Sequence, residues 1–136
     1  MIRKATAVWK GNLKEGKGNL STESGILDKT QYSYKTRFEN GKGTNPEELI
    51  GAAHSGCFTM QLSAFLAEQN FPADLLETKA EVTFEDGAVS KSHLILVAEV
   101  PHITEEKFNE IANKAKESCP ISKLLNTEIT LDSTLK

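Results

Sequence analysis

The chain has 136 residues, one domain's length and too short for two ordinary ones. Its composition, 38% hydrophobic and 26% charged, is that of a soluble globular protein and excludes a disordered tail. Lys+Arg 16 against Asp+Glu 19 leaves a net charge of −3, which argues against a nucleic-acid partner. The two cysteines, Cys57 and Cys119, are too few for a disulfide scaffold or a four-thiolate zinc site, and they suffice for a redox pair.

No apolar run near Met1 reads as a signal peptide, and none elsewhere reaches the ~20 residues of a membrane span, so no membrane partner is expected. A cytoplasmic location follows as the expectation. There both cysteines rest as thiols, and a disulfide between them would be a working intermediate. Ala5, Ala7 and Trp9 alternate with Thr6, Val8 and Lys10, which predicts a strand. A glycine-rich turn leads to a second strand near Leu20–Thr22, and Tyr32–Phe38 alternates as a third. Asn45-Pro46-Glu47-Glu48 then starts a helix: Asn45 caps, Pro46 suits the first position, and the carboxylates face the positive end of the dipole. Glu48 stands where a capping box puts its acid. The helix runs to about Gln69, before Asn70-Phe71-Pro72, and is apolar most of the way round, which predicts burial on all sides. Ala80, Val82 and Phe84 mark a half-exposed strand, and Asp86-Gly87 turns the chain into Leu94–Ala98, apolar on both faces. Thr104 caps a second helix with one stripe of Phe108, Ile111, Ala112, Ala115 and Cys119; Pro120 begins a short turn, and Ile129 and Leu131 open a last strand. The expected fold is a single α+β domain over residues 1–136, with mostly antiparallel strands around a long central helix.

The residues leave several chemistries open. A cysteine inside a buried helix is commonly a small hydrophobe, and this applies to Cys57 and Cys119 alike. A reactive thiol needs a cation or a helix N-terminus, and Cys57 lies several turns into its helix. Arg37 is a candidate cation, and Glu47 a candidate to orient it through a bidentate pair. Each also reads simply, as an edge arginine in water and a first-turn carboxylate. Ten residues of helix, a rise of about 15 Å, separate Glu47 from Cys57. An arginine therefore bridges part of that gap, or Glu47 serves the cysteine of a partner whose helix crosses. Ala52 and Gly56 share one small-residue face, which a sheet or a second copy of the helix would cover. His54, one turn before Cys57, raises a metal site or a Cys-His acyl hydrolase, though no further ligand and no orienting acid accompanies it. His93 and His102 read as ordinary strand and loop residues.

Gly43-Thr44-Asn45-Pro46-Glu47-Glu48-Leu49-Ile50-Gly51-Ala52-Ala53-His54-Ser55-Gly56-Cys57-Phe58 closely resembles the active-site helix of the OsmC/Ohr family of organic hydroperoxide reductases. The likeness extends to Ser21-Thr22-Glu23-Ser24-Gly25 and to Lys114-Ala115-Lys116-Glu117-Ser118-Cys119-Pro120-Ile121-Ser122, and it favours the OsmC branch. Ser55-Gly56 departs slightly from the small residues usual there. By that resemblance Cys57 matches the peroxidatic cysteine, Cys119 the resolving one, and Glu47 the partner of a catalytic arginine, which falls at Arg37. It implies thiol-dependent reduction of organic hydroperoxides through a Cys57 sulfenic acid and a Cys57–Cys119 disulfide. It also implies an intertwined homodimer of the OsmC-like fold, with no cofactor or metal, restored by a dithiol such as a lipoylated protein. Phe38, Phe58 and Met60 are candidates to favour alkyl or aryl peroxides. Beside this stand two other readings, a Cys-His acyl hydrolase and a non-catalytic domain that binds small ligands.

Overall fold

A computed structural model describes residues 1–136, and the chain falls into two compact units, Met1–Leu49 and Ile50–Lys136. In the first unit, β1 (Ala5–Lys10), β2 (Lys17–Thr22) and β3 (Thr30–Tyr32) form an antiparallel sheet in that order. Gly18 stands opposite Trp9 on one side and Tyr32 on the other. A Cβ there would come within 2.5 Å of the Trp9 ring and 2.6 Å of Tyr32, so the glycine is what lets the two rings meet edge to face at 5.4 Å.

The predicted third strand ends early. Tyr34–Phe38 is a helix, α1, rather than strand, because Ser33 and Thr36 make a reciprocal capping box. The Thr36 hydroxyl accepts from the Ser33 N–H at 2.8 Å, and this local closure overrides the β-propensity of Tyr, Thr and Phe. After α1 the chain returns along β3 through Gly43, φ 132°, where a Cβ would collide with the Gln31 carbonyl. Thr44 N–H then donates to that same carbonyl at 2.9 Å.

The long helix α2 spans Pro46–Glu68, with Asn45 capping it as expected: Asn45 Oδ1 accepts from Glu48 N–H at 2.8 Å. Glu48 does not complete a capping box; its carboxylate accepts instead from the Thr44 hydroxyl at 2.7 Å.

In the second unit, β4 (Leu75–Glu85) and β5 (Ala88–Glu99) form a hairpin through Asp86-Gly87, both at positive φ. β6 (Glu128–Leu135) adds parallel to β5, giving the order β4-β5-β6. α3 (Glu105–Ser118) and α4 (Pro120–Leu124) make the crossover. The core joins Phe58, Leu62 and Leu66 of α2 to Leu94, Leu96 and Ala98 of β5, and to Phe108, Ile111, Ala112 and Ala115 of α3. Ile95 and Val97, on the other face of β5, are only half-buried, so that strand is not apolar-covered on both sides as its sequence suggested.

Two departures bear on function. Every buried apolar side chain lies between Phe58 and Cys119, so the first unit holds no apolar core of its own. The helix predicted to be covered all round is also open along Ala52, Ala53, Gly56, Met60, Ser63, Ala64 and Ala67. Met60 is 76% exposed. Leu62 shares the helix but is fully buried. Leu62→Ala is expected to lower unfolding stability by about 2–5 kcal/mol, whereas Met60→Ala stays within ~0.5 kcal/mol of wild type for the single chain. Denaturant midpoints measured at low protein concentration check both.

Candidate functional site

Two pairs of residues carry chemistry, one in each unit. In the first, Arg37 leaves α1 and meets Glu47, in the first turn of α2. Its Nη2 donates to Glu47 Oε1 at 2.8 Å, and its Nε donates to Oε1 at 3.1 Å and Oε2 at 3.3 Å. Glu47 is buried, 8% exposed, and an unpaired carboxylate there would be costly. Asn45 holds the two helices in register: while its Oδ1 caps α2, its Nδ2 donates to the Thr36 carbonyl of α1 at 3.0 Å. The guanidinium lies 5.5 Å from the centre of the Phe38 ring, a cation–π distance. Beside it opens a cavity of ≈330 Å³ lined by Trp9, Leu13, Tyr32, Ser33, Tyr34 and Phe38 together with Arg37. It is a mainly aromatic hollow with one cation at its wall. A larger hollow of ≈560 Å³ beside Arg3, Lys4 and Thr22–Ser24 contains neither a thiol nor an ion pair.

In the second unit, Cys57 and Cys119 are both free thiols, half-buried and fully buried respectively. Cys119 lies close enough to Cys57 to act on its thiol, although the two stand 62 positions apart in the sequence. Cys119 ends α3, where its N–H donates to the Ala115 carbonyl at 3.0 Å, and caps α4. Its Sγ accepts from Ser122 N–H at 3.3 Å and donates to Ser122 Oγ at 3.1 Å. Burial pushes the Cys57 thiol up from the ordinary thiol range; the Ile121 backbone N–H pulls it partly back, and the adjacent Cys119 thiol adds to the rise. Within residues 50–136 no cation offsets this rise. A nearby positive charge is what would favour the thiolate at Cys57.

His54 is where sequence reasoning placed a metal ligand or an acyl-transfer base, and neither fits. No group of three or more His, Cys, Asp or Glu side chains is arranged to hold a metal. Both ring nitrogens are taken by hydroxyls: Nδ1 lies 2.6 Å from Ser92 Oγ and Nε2 2.8 Å from Ser122 Oγ, in a fully buried setting. Ser122 lay inside a recognisable motif but carried no signal of its own, and Ser92, 38 positions from His54, carried none. His93 does more than an ordinary strand residue, with Thr130 Oγ1 at 2.6 Å and Asp132 Oδ2 at 3.1 Å across the sheet edge. Of the candidates to face the thiol, Phe58 turns into the core and Met60 to solvent, while Phe38 lines the arginine cavity.

Burial lowers the His54 pKa, so the folded chain prefers the neutral ring. Its contribution to stability is fully present above the unfolded value, about 6.5, and is lost as pH falls through the depressed folded value. Acidification from pH 7 to pH 5 should therefore lower the wild-type Tm more than that of His54→Gln, which thermal melts across this range would measure.

Comparison with known proteins gives a consistent result. Residues 39–134 match the family described as OsmC-like protein. The chain is 47% identical over 138 aligned positions to "Peroxiredoxin OsmC" of Escherichia coli (strain K12), covering 98% of this chain and 96% of that one. It is 30% identical over 122 positions to "Organic hydroperoxide resistance protein OhrB" of Bacillus subtilis (strain 168), covering 88% and 89%. The crystal structure of the latter organism's OhrB superposes with a TM-score of 0.67 at 26% identity, covering 98% of each chain.

Proposed function

The chain belongs to the OsmC-like protein family, and on that footing we propose that it is a thiol-dependent peroxidase that reduces organic hydroperoxides to alcohols. The observation that carries this reading is the proximity of two free thiols, half-buried Cys57 and buried Cys119. In the proposed cycle the Cys57 thiolate attacks the outer peroxide oxygen. The O–O bond breaks, an alkoxide leaves and is protonated to the alcohol, and Cys57 becomes a sulfenic acid. Cys119 then attacks the Cys57 sulfur, the S–OH bond breaks, water is lost, and a disulfide closes. An external dithiol, such as a lipoyl group on a partner protein, returns both cysteines to thiols by exchange and is itself oxidised.

Arg37 is the cation this scheme assigns to Cys57, and Glu47 the group that fixes its orientation. The pair is preformed: three hydrogen bonds hold the guanidinium before any substrate arrives. The aromatic cavity beside Arg37 supports alkyl or aryl peroxides over hydrogen peroxide. The acyl-hydrolase alternative loses its base, since the His54 ring is committed to two serines.

The proposal treats residues 1–136 as one functional domain acting as an intertwined homodimer in the cytoplasm. The stretch matched by the family runs across the boundary between the two compact units. A second copy would cover the open α2 face and the first unit's exposed Val8, Leu13 and Ile26. No helix is long and apolar enough to cross a membrane.

With a dithiol present, the protein should consume an organic hydroperoxide with a higher kcat/KM than hydrogen peroxide. Cys57→Ser should abolish turnover, and Cys119→Ser should accumulate sulfinic Cys57. Arg37→Met should lower kcat/KM by roughly 10²-fold or more and move the rate–pH profile to higher pH, because the burial-raised thiol is then unopposed. Absence of peroxide loss in the wild type contradicts the proposal. Met60→Lys should halve the mass seen by light scattering with helix content unchanged; a wild type that is already monomeric contradicts the dimer.

A further inference from the structure

His54 is a titratable side chain, fully buried, that the peroxidase cycle leaves without a task. Once the Cys119 S–H donates to Ser122 Oγ, the remaining hydrogen bonds around His54 take one direction. Cys119 S–H donates to Ser122 Oγ at 3.1 Å, so the single Ser122 proton is left to donate to His54 Nε2 at 2.8 Å. Nε2 is then the accepting nitrogen, and Nδ1–H donates to Ser92 Oγ at 2.6 Å. The ring is then the Nδ1–H tautomer, its Nε2 lone pair on the same Ser122 hydroxyl that contacts the Cys119 sulfur.

We propose that Ser122 and His54 form a proton relay for Cys119, taking its thiol proton when it closes the disulfide on Cys57. This inference rests on the peroxidase reading above. In the closing step the Cys119 proton moves to Ser122 Oγ while the Ser122 proton moves to His54 Nε2. The sulfur, now a thiolate, receives both the Ser122 O–H and the Ser122 N–H, the latter already 3.3 Å away. It attacks the Cys57 sulfur; the S–S bond forms, the S–O bond breaks, and hydroxide leaves with the electron pair. That hydroxide takes the proton the imidazolium gives up, so the step yields one water and His54 ends neutral. When a dithiol later reopens the disulfide, its attacking thiol gives up a proton to His54, and the reverse relay passes that proton through Ser122 to Cys119 as it leaves. Ser122 touches the reacting sulfur; His54 acts through it as a positioning and proton-holding residue.

The surroundings suit a relay that answers to pH. Burial alone lowers the His54 pKa, with no carboxylate or cation contributing, so the ring is a free base at neutral pH. The titratable groups in reach are the two thiols: Cys119 through Ser122, and Cys57 one turn along α2. On α4 the only charged residue, Lys123, is exposed. On β5, Lys91 and His93 flank Ser92 and so project from the opposite face of the sheet. On α3, the last-turn Lys116 and Glu117 are not buried, unlike Ala115 and Cys119 beside them.

The test separates the two half-steps. Reduced protein is mixed with one equivalent of an organic hydroperoxide from pH 5 to 9, and quenched samples are read by mass for Cys57 sulfenic acid and for disulfide. The relay predicts that Ser122→Ala slows closure roughly 10²-fold or more, with Cys57 passing on to sulfinic acid, and that Ser122→Thr, which keeps the hydroxyl, restores it. In the wild type, closure slows on the acid side as His54 becomes protonated, and His54→Gln, which cannot titrate, flattens that limb. Should the glutamine variant not fold, the alanine–threonine pair still decides. Closure in Ser122→Ala at the wild-type rate and with the wild-type pH profile overturns the relay. No Cys57 oxidation in the wild type overturns the peroxidase reading and the relay with it.

Discussion

Cys119 closes α3 through its backbone N–H and caps α4 through its sulfur, so backbone and side chain are each tied to a helix end. Cap hydrogen bonds of this kind stabilise by about 1 kcal/mol each, enough to fix a side chain but not to lock it. That balance suits the proposed cycle, in which the Cys119 thiol approaches another sulfur and then retreats. The core supplies the other half of the constraint. Phe58, directly after Cys57, is fully buried against β5 and α3, so α2 presents Cys57 at one depth beside the α3–α4 junction. Two thiols distant in sequence are thereby held as neighbours by ordinary apolar packing, without a covalent bond.

The same burial that places Cys57 also works against its reactivity. Removing the thiol from water disfavours the thiolate, and the second thiol beside it adds to the effect. In the proposed cycle a cation reverses this, and Arg37 is the residue assigned to that role. Burying Glu47 is unfavourable in itself; three hydrogen bonds from Arg37 offset that, and the Asn45 bridge between α1 and α2 keeps the pair aligned. The ion pair is therefore better understood as an orienting device than as a source of stability.

Much of this was legible in the residues. Asn45-Pro46-Glu47-Glu48 announced the start of α2, Asp86-Gly87 the β4–β5 hairpin, and the stripe from Phe108 to Cys119 the buried face of α3. A bidentate pair of Arg37 with Glu47 was one reading the residues offered, beside an edge arginine in water and a first-turn carboxylate, and the pair is what forms. What failed, failed for local or for long-range reasons. Tyr34–Phe38 looked extended because its residues favour strands, and a Ser33–Thr36 box decided otherwise. The apolar circumference of α2 suggested full burial, yet Ala53, Gly56 and Met60 lie open in the single chain, since composition cannot say whether the covering surface belongs to the same molecule. Ser92 meets His54 only because β5 passes under α2, and no spacing rule connects positions so far apart. Periodicity treated Cys57 and Cys119 as inert fillers; only the motif around each suggested a pair.

The central claim is that Cys57 and Cys119 act together on a peroxide. Peptide mapping under non-reducing conditions, after one equivalent of an organic hydroperoxide is added to the reduced protein, tests it most directly. The account predicts a linked pair of peptides containing Cys57 and Cys119, lighter by two hydrogens than the separate thiols and released by a dithiol. Recovery of both cysteines as free, alkylatable thiols with the hydroperoxide intact would contradict it.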